Sequence, residues 1–265
     1  MSGTFRRYAG FAAMSVKETV AYRVWFWLRL FTAAVAMTVF TYFWRAVYAG
    51  ADRLAGLDLS TTLRYALLAQ VVAGVGESSL LRRMSSSLRE GRIAHELSRP
   101  VDLQGAEYAY AVGTWLSAAA TRLPLVGLLL VYGATLPVDP LRWAVFLASF
   151  VIGASAMFCF EWLLACLAFY TTEVWGIRVA VEALAVFFGG LLVPLDLMPG
   201  WLRAVAEALP FQQIVYLPVS LLAGVTPLAD APRVLLGQLL WAAALLVLSR
   251  LAFARALRVV TVQGG

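Results

Sequence analysis

Two ionisable side chains of this 265-residue sequence lie deep inside long apolar runs, where charge is costly and usually serves a purpose. Arg122 is near the middle of the run 107–133, and Glu161 lies within the run 141–170. A charge at the centre of a membrane span costs about 2.5 to 3.5 kcal/mol on insertion scales. We therefore predict either a structural ion pair between Arg122 and Glu161 or a role for both in lining a translocation path.

A second set of charged residues occupies residues 81–103, between two apolar runs. Charged and apolar side chains mix there at helical spacing, and we expect the important ones to be Arg82, Arg83, Arg89, Glu90, Arg92, Ile93, Glu96, Leu97 and Arg99. Such a helix can lay its apolar edge in a partner's groove and use its charges to set the register. We predict that this segment docks on a partner protein. The alternative is a solvated loop that keeps positive charge on one side of a membrane.

Catalytic chemistry finds little support in the sequence. His95 is the single histidine, and no cluster of His, Cys, Asp or Glu has the spacing of metal ligands. No G-x-x-x-x-G-K-[ST] motif is present to cradle a nucleotide phosphate. Cys159 and Cys166 are seven residues apart, about 10 Å along a helix, which is too far for a disulfide. We therefore expect no catalytic residue, metal or cofactor in this chain, and an apolar role for both cysteines.

The composition places these residues in a membrane protein. The chain is 62% hydrophobic and 14% charged, against about half and about a quarter in soluble domains. Six runs are long enough to span a bilayer, at residues 24–49, 61–81, 107–133, 141–170, 175–193 and 232–253. Residues 4–22 predict an amphipathic helix on the membrane surface. We expect one all-α, polytopic transmembrane domain over residues 1–265.

The distribution of Lys and Arg sets the orientation. Thirteen of them flank the runs on the side that holds both termini and residues 81–103, and six flank the other side. Because cytoplasmic loops carry the excess of positive charge, both termini are predicted to be cytoplasmic. This requires an even number of crossings, which six satisfies. The positive charge flanks spans rather than forming a surface for nucleic acid, so no nucleic-acid partner is expected.

The predicted external connection at residues 194–227 is apolar and rich in proline, unlike an ordinary polar loop. Its middle, Trp201–Leu209, has helical spacing but is too short to span. Backbone at membrane depth that does not span must be buried in protein, so we predict short re-entrant helices. The residues expected to form an external gate are Pro194, Pro199, Trp201, Pro210, Phe211 and Pro218.

Two stretches resemble a known family. The run REGRIAHELSRPVDLQ, residues 89–104, is similar to the cytoplasmic coupling segment of ABC-2 type transporter permeases of roughly this length. The segment Leu191–Gly224, with its prolines, Trp201 and Phe211, resembles the region between the fifth and sixth spans of the same permeases.

The resemblance implies a function and a set of partners. It implies six helices, a dimer with an identical or paralogous permease, and two separately encoded ATPase subunits that bind ATP and Mg. Helices one and five form the dimer interface in that family, which points to Phe187, Phe188, Gly189 and Gly190. The expected function is the permease subunit of an ABC exporter for an amphiphilic or hydrophobic substrate. Arginine-rich, alanine-rich usage suggests a bacterial source, so the expected location is the bacterial plasma membrane, with membrane lipid as a further partner.

Two other functions stay open at this stage. An ion-coupled secondary transporter would use Arg122 and Glu161 as a charge relay, and an inverted repeat would be expected there. A membrane scaffold or membrane enzyme without transport activity is the other alternative.

Overall fold

The computed structural model describes residues 9–14, 23–76, 79–171 and 174–258, and these are mostly helical. The helices are α1 Arg23–Val47, α2 Leu59–Val72, α3 Leu80–Arg89, α4 Ile93–Ser98, α5 Leu103–Val131, α6 Pro140–Cys166, α7 Trp175–Phe188, α8 Gly200–Glu207, α9 Tyr216–Ala223 and α10 Ala231–Ala256. Residues 9–14 are also helical. The rest of the predicted surface helix at 4–22 lies outside the described residues.

Among the described residues, four helical stretches are long and apolar enough to cross a bilayer. They are Trp27–Gly50, Leu103–Val131, Pro140–Phe169 and Leu228–Ala256, and they coincide with the first, third, fourth and sixth predicted spans. The fold is therefore that of an all-α polytopic membrane protein, as predicted. A small antiparallel hairpin, strand β1 at Arg53–Leu54 paired with β2 at Leu57–Asp58, joins α1 to α2 and was not predicted.

The second and fifth predicted spans contain shorter helices. Helices α2 and α7 have 14 residues each, or about 21 Å at 1.5 Å per residue, less than the bilayer core of about 30 Å. Helix α2 ends before Gly74, which has φ +73°, so a single helix over 61–81 is wrong. Helix α7 ends at Phe188, before Gly190 with φ +79°, because a left-handed residue breaks the helical repeat.

Aspartate caps fix where two long helices begin. The Asp102 carboxylate accepts a hydrogen bond from the Gly105 backbone N–H at 2.7 Å. Asp139 accepts one from Leu141 N–H at 2.9 Å, and Pro140 occupies the first turn. Such caps satisfy backbone donors that the first turn leaves unpaired. Helix α5 therefore begins four residues earlier than the predicted Glu107.

The core is organised around α6. Trp162 of α6 is fully buried and packs edge-on against Phe253 of α10, with ring centroids 5.1 Å apart. Nearer the start of both helices, the Ser149 hydroxyl donates to the Gln238 side-chain oxygen at 2.8 Å. These two contacts show that α6 and α10 run in the same direction. Both cysteines are free and buried in this core.

Candidate functional site

Residues 81–103, hereafter the charged segment, fold as two short helices at one end of the bundle. Helix α3 ends at Arg89 and α4 begins at Ile93, with Gly91 between them at φ +70°. A left-handed residue favours glycine because it lacks the Cβ that would clash there. Helix α4 stops before Arg99 and Pro100, where the backbone becomes extended.

One face of the charged segment is fixed to the bundle. Leu81, Met84 and Ile93 are buried in the same apolar cluster as Trp162. The Arg83 guanidinium bonds to the Glu107 carboxylate of α5 at 2.9 Å and lies 3.5 Å from the centre of the Tyr110 ring. Ile93 is 5% exposed and is not placed to dock a partner, so the prediction that it does so is wrong. Docking by Arg83, whose side chain is partly exposed, stays a prediction.

The opposite face is exposed and charged. We call this face, whose members are Arg82, Arg89, Glu90, Arg92, Leu97 and Arg99, the coupling surface. The Arg92 and Glu90 side chains are paired at 2.7 Å across the turn. Leu97 adds an exposed apolar side chain. An exposed apolar residue among charges is what a groove of a partner protein recognises.

The far end of the charged segment is tied to the last helix. Arg250 of α10 bonds to both oxygens of the Asp102 carboxylate, at 2.5 and 2.8 Å. The Gln104 amide donates to the Ser249 hydroxyl at 2.9 Å. The hydrogen bonds from Arg250 lower the pKa of the Asp102 carboxyl below its ordinary value. The segment therefore connects mechanically to α5 and to α10.

Arg122 and Glu161 lie towards opposite ends of the bundle. The Tyr108 and Ser155 hydroxyls, 2.8 Å apart, set the register of α5 against α6. Arg122 is 14 residues after Tyr108 on α5, and Glu161 is six residues after Ser155 on α6. Because α5 and α6 run in opposite directions, these two residues lie on opposite sides of the Tyr108–Ser155 contact. At 1.5 Å per residue they are about 30 Å apart along the axes, so the predicted ion pair is wrong. The Arg122 guanidinium instead donates to the Gln70 carbonyl oxygen at 2.7 Å.

Residues 194–227, hereafter the proline-rich segment, fold back into the bundle at the other end. Helices α8 and α9 are joined by a single 3-10 turn, Pro210–Gln213, and that turn is completely buried. Of the predicted gate residues, Pro194, Pro210, Phe211 and Pro218 are buried, whereas Pro199 and Trp201 are exposed. Trp201 is 71% exposed, which suits an aromatic ring at a membrane interface.

A polar anchor holds the buried turn in place. The Gln238 amide of α10 donates to the Gln213 carbonyl oxygen at 3.0 Å while its own oxygen accepts from Ser149. Gly153 of α6 makes room for the turn, since a Cβ there would lie 1.9 Å from the Gln213 oxygen. Sequence analysis missed these residues, although a lone glutamine in the apolar run 232–253 was a usable signal.

Two arginines hold the far end of α9. Arg64 of α2 donates to the Ala223 carbonyl oxygen at 3.1 Å, and Arg142 of α6 donates to Leu221 at 3.0 Å. The last carbonyls of a helix carry partial negative charge, which guanidinium groups stabilise. On the near side, Tyr216 of α9 donates to the Asp196 carboxylate at 2.9 Å. The proline-rich segment is thus bonded to α2, α6 and α10.

The two glycines predicted at a dimer interface are inside the chain. Gly189 and Gly190 are both buried. A Cβ on Gly190 would lie 2.6 Å from the Tyr65 hydroxyl and 2.9 Å from Tyr216. The glycines therefore serve packing within one chain, and their assignment to an interface is wrong. Phe187 is 42% exposed and still available, while Phe188 is partly buried in the core.

The chain is similar to a known protein family. A family model described as an ABC-2 family transporter protein matches residues 31–264. A search of curated proteins found no match. Within the described ranges, no three His, Cys, Asp or Glu side chains come together as a metal site would need.

Proposed function

The chain belongs to the ABC-2 transporter family and is a membrane permease of an ABC-type transporter, and from this premise we propose that it is an exporter subunit driven by a separate ATPase. The proposed assembly contains two permeases, identical or paralogous, and two ATPase subunits that bind ATP and Mg. The proposed substrate is amphiphilic or hydrophobic, and the proposed location is a bacterial plasma membrane.

The observation that carries this proposal is the two-sided geometry of the charged segment. Its inner face is bonded to α5 through Arg83 and to α10 through Asp102. Its outer face presents the coupling surface to solvent. A rigid element that is attached to two spanning helices and exposed on its other side can transmit a push from an ATPase. This supports a lever that converts nucleotide-driven closure into movement of α5 and α10.

We propose six crossings with both termini in the cytoplasm. Helices α6 and α10 run in the same direction, so the chain between them must return across the bundle. Helix α7 and the residues that follow it make this return crossing. Helix α2 and the residues that follow it make the earlier return crossing, between α1 and α5. The excess of Lys and Arg beside the charged segment supports a cytoplasmic position for that end.

The proposed permease–permease interface includes α7. None of the 14 residues of α7 is buried within the chain, and Phe187 projects from its far end. A membrane helix that buries none of its residues in its own bundle has room for another copy or for lipid. The proline-rich segment would close the outer end of the path between two permeases.

The relay mechanism of an ion-coupled secondary transporter loses its support. Arg122 and Glu161 are too far apart to exchange charge directly, and the family works with an ABC ATPase. A role for either residue along the translocation path remains part of the present proposal.

The test is stimulation of the ATPase by permease variants. Leu97→Ser and Arg89→Glu alter the coupling surface without touching the buried face. We expect both variants to insert normally and to lose copurification with the ATPase or its stimulation. The matched control is Arg53→Glu, which makes the same charge change in the hairpin at the opposite end. Full stimulation by Leu97→Ser and Arg89→Glu together would show that coupling occurs elsewhere.

A further inference from the structure

A cleft lies between the charged segment, residues 9–14 and the first turn of α5. It consists of two adjoining cavities of about 300 and 260 Å³, which is the small end of the range for ligand pockets. Both cavities are lined by Met14, Arg83, Arg92, Glu96 and Glu107. The cleft is not the coupling surface, although Arg92 and Arg99 contribute to both.

The cleft has an apolar wall and a cationic rim. The wall is formed by Phe11, Met14, Leu103 and Ala106. The rim is formed by Arg92, His95 and Arg99. This division matches an amphiphile that has an anionic head and an apolar body.

Among the described residues, Glu90 pairs with Arg92 of the rim at 2.7 Å, whereas the other carboxylates near the rim leave Arg99 without an ion pair. Glu107 is paired with Arg83 inside the bundle, and Asp102 is paired with Arg250. Glu96 also lines the cleft, and its carboxylate suits the hydroxyl or ammonium groups that a lipid head carries beside its phosphate.

We propose that this cleft binds the phosphate headgroup of an anionic glycerophospholipid. Arg99 presents a planar fork of N–H donors, the geometry that recognises phosphate oxygens in pairs. Arg92 adds a second guanidinium, which it shares with Glu90. The apolar wall continues into α5, whose membrane-spanning stretch begins at Leu103, so the glycerol and the first acyl carbons would follow that wall into the bilayer. Basic pockets beside spanning helices on the cytoplasmic side are typical sites for anionic headgroups.

A lipid fits better than the ATPase as the occupant. The wall at Phe11 and Leu103 leads towards the apolar span, where a soluble protein does not reach. The bound lipid would also brace α4 against residues 9–14, which ties the position of the proposed lever to the lipid composition. The leaflet that supplies the lipid depends on the orientation proposed above, but binding of the lipid in the cleft does not.

The test is native mass spectrometry of the full chain, purified in detergent without the ATPase and stripped of lipid. We expect phosphatidylglycerol to be retained on each permease and phosphatidylcholine not to compete. The variant Arg92→Gln with Arg99→Gln should weaken retention roughly tenfold, a change of about 1.4 kcal/mol. Arg99→Lys with Arg92 intact, which keeps the charge but not the fork, should weaken lipid retention less than the double variant does. Arg89→Gln is the matched control, since Arg89 is exposed one turn away and does not line the cleft.

Several outcomes would overturn the site. Equal loss in Arg89→Gln would indicate diffuse attraction to surface charge, and unchanged retention in the double variant would exclude the rim. Displacement of the lipid by millimolar inorganic phosphate would indicate a site for a soluble anion. Displacement by added ATPase would make the cleft a protein-docking groove. None of these outcomes bears on whether Leu97→Ser uncouples the ATPase, so this inference and the proposed function fail separately.

Discussion

At the scale of single residues, close contacts to backbone carbonyl oxygens hold the buried turn in place, and sequence patterns do not reveal these contacts. Gly153 allows the buried turn of the proline-rich segment to approach α6, and Gln238 bonds to the same carbonyl oxygen. Because a buried carbonyl that loses its partner costs about 1 to 3 kcal/mol, a few atoms decide whether this turn stays inside the bundle.

We predict that Gly153→Ala destabilises the protein by about 1 to 3 kcal/mol, the usual cost of overpacking a core. The new methyl group would lie 1.9 Å from the Gln213 carbonyl oxygen, so the turn must move. The measurement is thermal unfolding in detergent. Gly127→Ala is the matched control, because a Cβ at that helical glycine meets nothing within 4 Å. An unchanged melting temperature for Gly153→Ala would mean that the turn is not tightly held.

The Asp102–Arg250 pair predicts a pH dependence of stability. The folded pKa of Asp102 is lowered by its hydrogen bonds, so the pair stabilises the fold above the carboxyl's ordinary pKa and is lost as pH falls through the folded value. We expect a modest loss of stability below about pH 4, the ordinary pKa of an aspartate, since the pair is partly exposed.

The variants Asp102→Asn and Arg250→Gln should both remove this acid-dependent loss. Asparagine caps a helix as well as aspartate does, so Asp102→Asn removes the charge and keeps the cap. The measurement is the melting temperature between pH 6 and pH 3, compared with the unmodified chain. If the variants and the parent lose stability in parallel, other carboxylates are responsible.

At the scale of elements, the bonds of the proline-rich segment define what it can move with. It is attached to α10 through Gln238, to α6 through Arg142 and to α2 through Arg64. A lid that swings alone would have to break all of these bonds. The segment is therefore expected to move together with α6 and α10 as one packed body.

This expectation can be measured with spin labels on Ala208, beside α8, and Leu236 of α10. Both side chains are exposed, so the labels should not disturb packing. We expect the distance between the labels to be the same in the nucleotide-free and ATP-trapped transporter. A shift of that distance on trapping ATP would show that the segment opens by itself.

At the scale of the whole molecule, charge is distributed unevenly between the two ends of the bundle. The end with the charged segment also carries the last two turns of α10 with Arg250 and Arg255. The opposite end carries the hairpin, the proline-rich segment and the start of α10. The positive-inside tendency supports the proposal that the first end is cytoplasmic, where an ATPase would dock.

We predict that Arg53→Cys reacts with a membrane-impermeant maleimide in intact cells and that Ala94→Cys does not. Both positions are exposed, and the native cysteines are buried, which keeps the background low. After permeabilisation both variants should react. Labelling of Ala94→Cys in intact cells would show that the charged segment lies outside the cell. That result would contradict both the proposed orientation and the coupling proposal.

The sequence by itself determined the class of fold, four of the spanning helices and the family. Long apolar runs, helix caps and turn residues act over a few neighbouring positions, so local composition suffices to predict them. It also marked the charged segment, because mixed charge between apolar runs is a local pattern.

Only the tertiary structure decided which side chains meet. It separated Arg122 from Glu161, placed Gly189 and Gly190 inside the chain, and showed which face of the charged segment is exposed. These outcomes depend on the register between helices that are distant in sequence, such as the one set by Tyr108 and Ser155. That register is fixed by packing and buried hydrogen bonds along the whole interface, which no single stretch of sequence encodes.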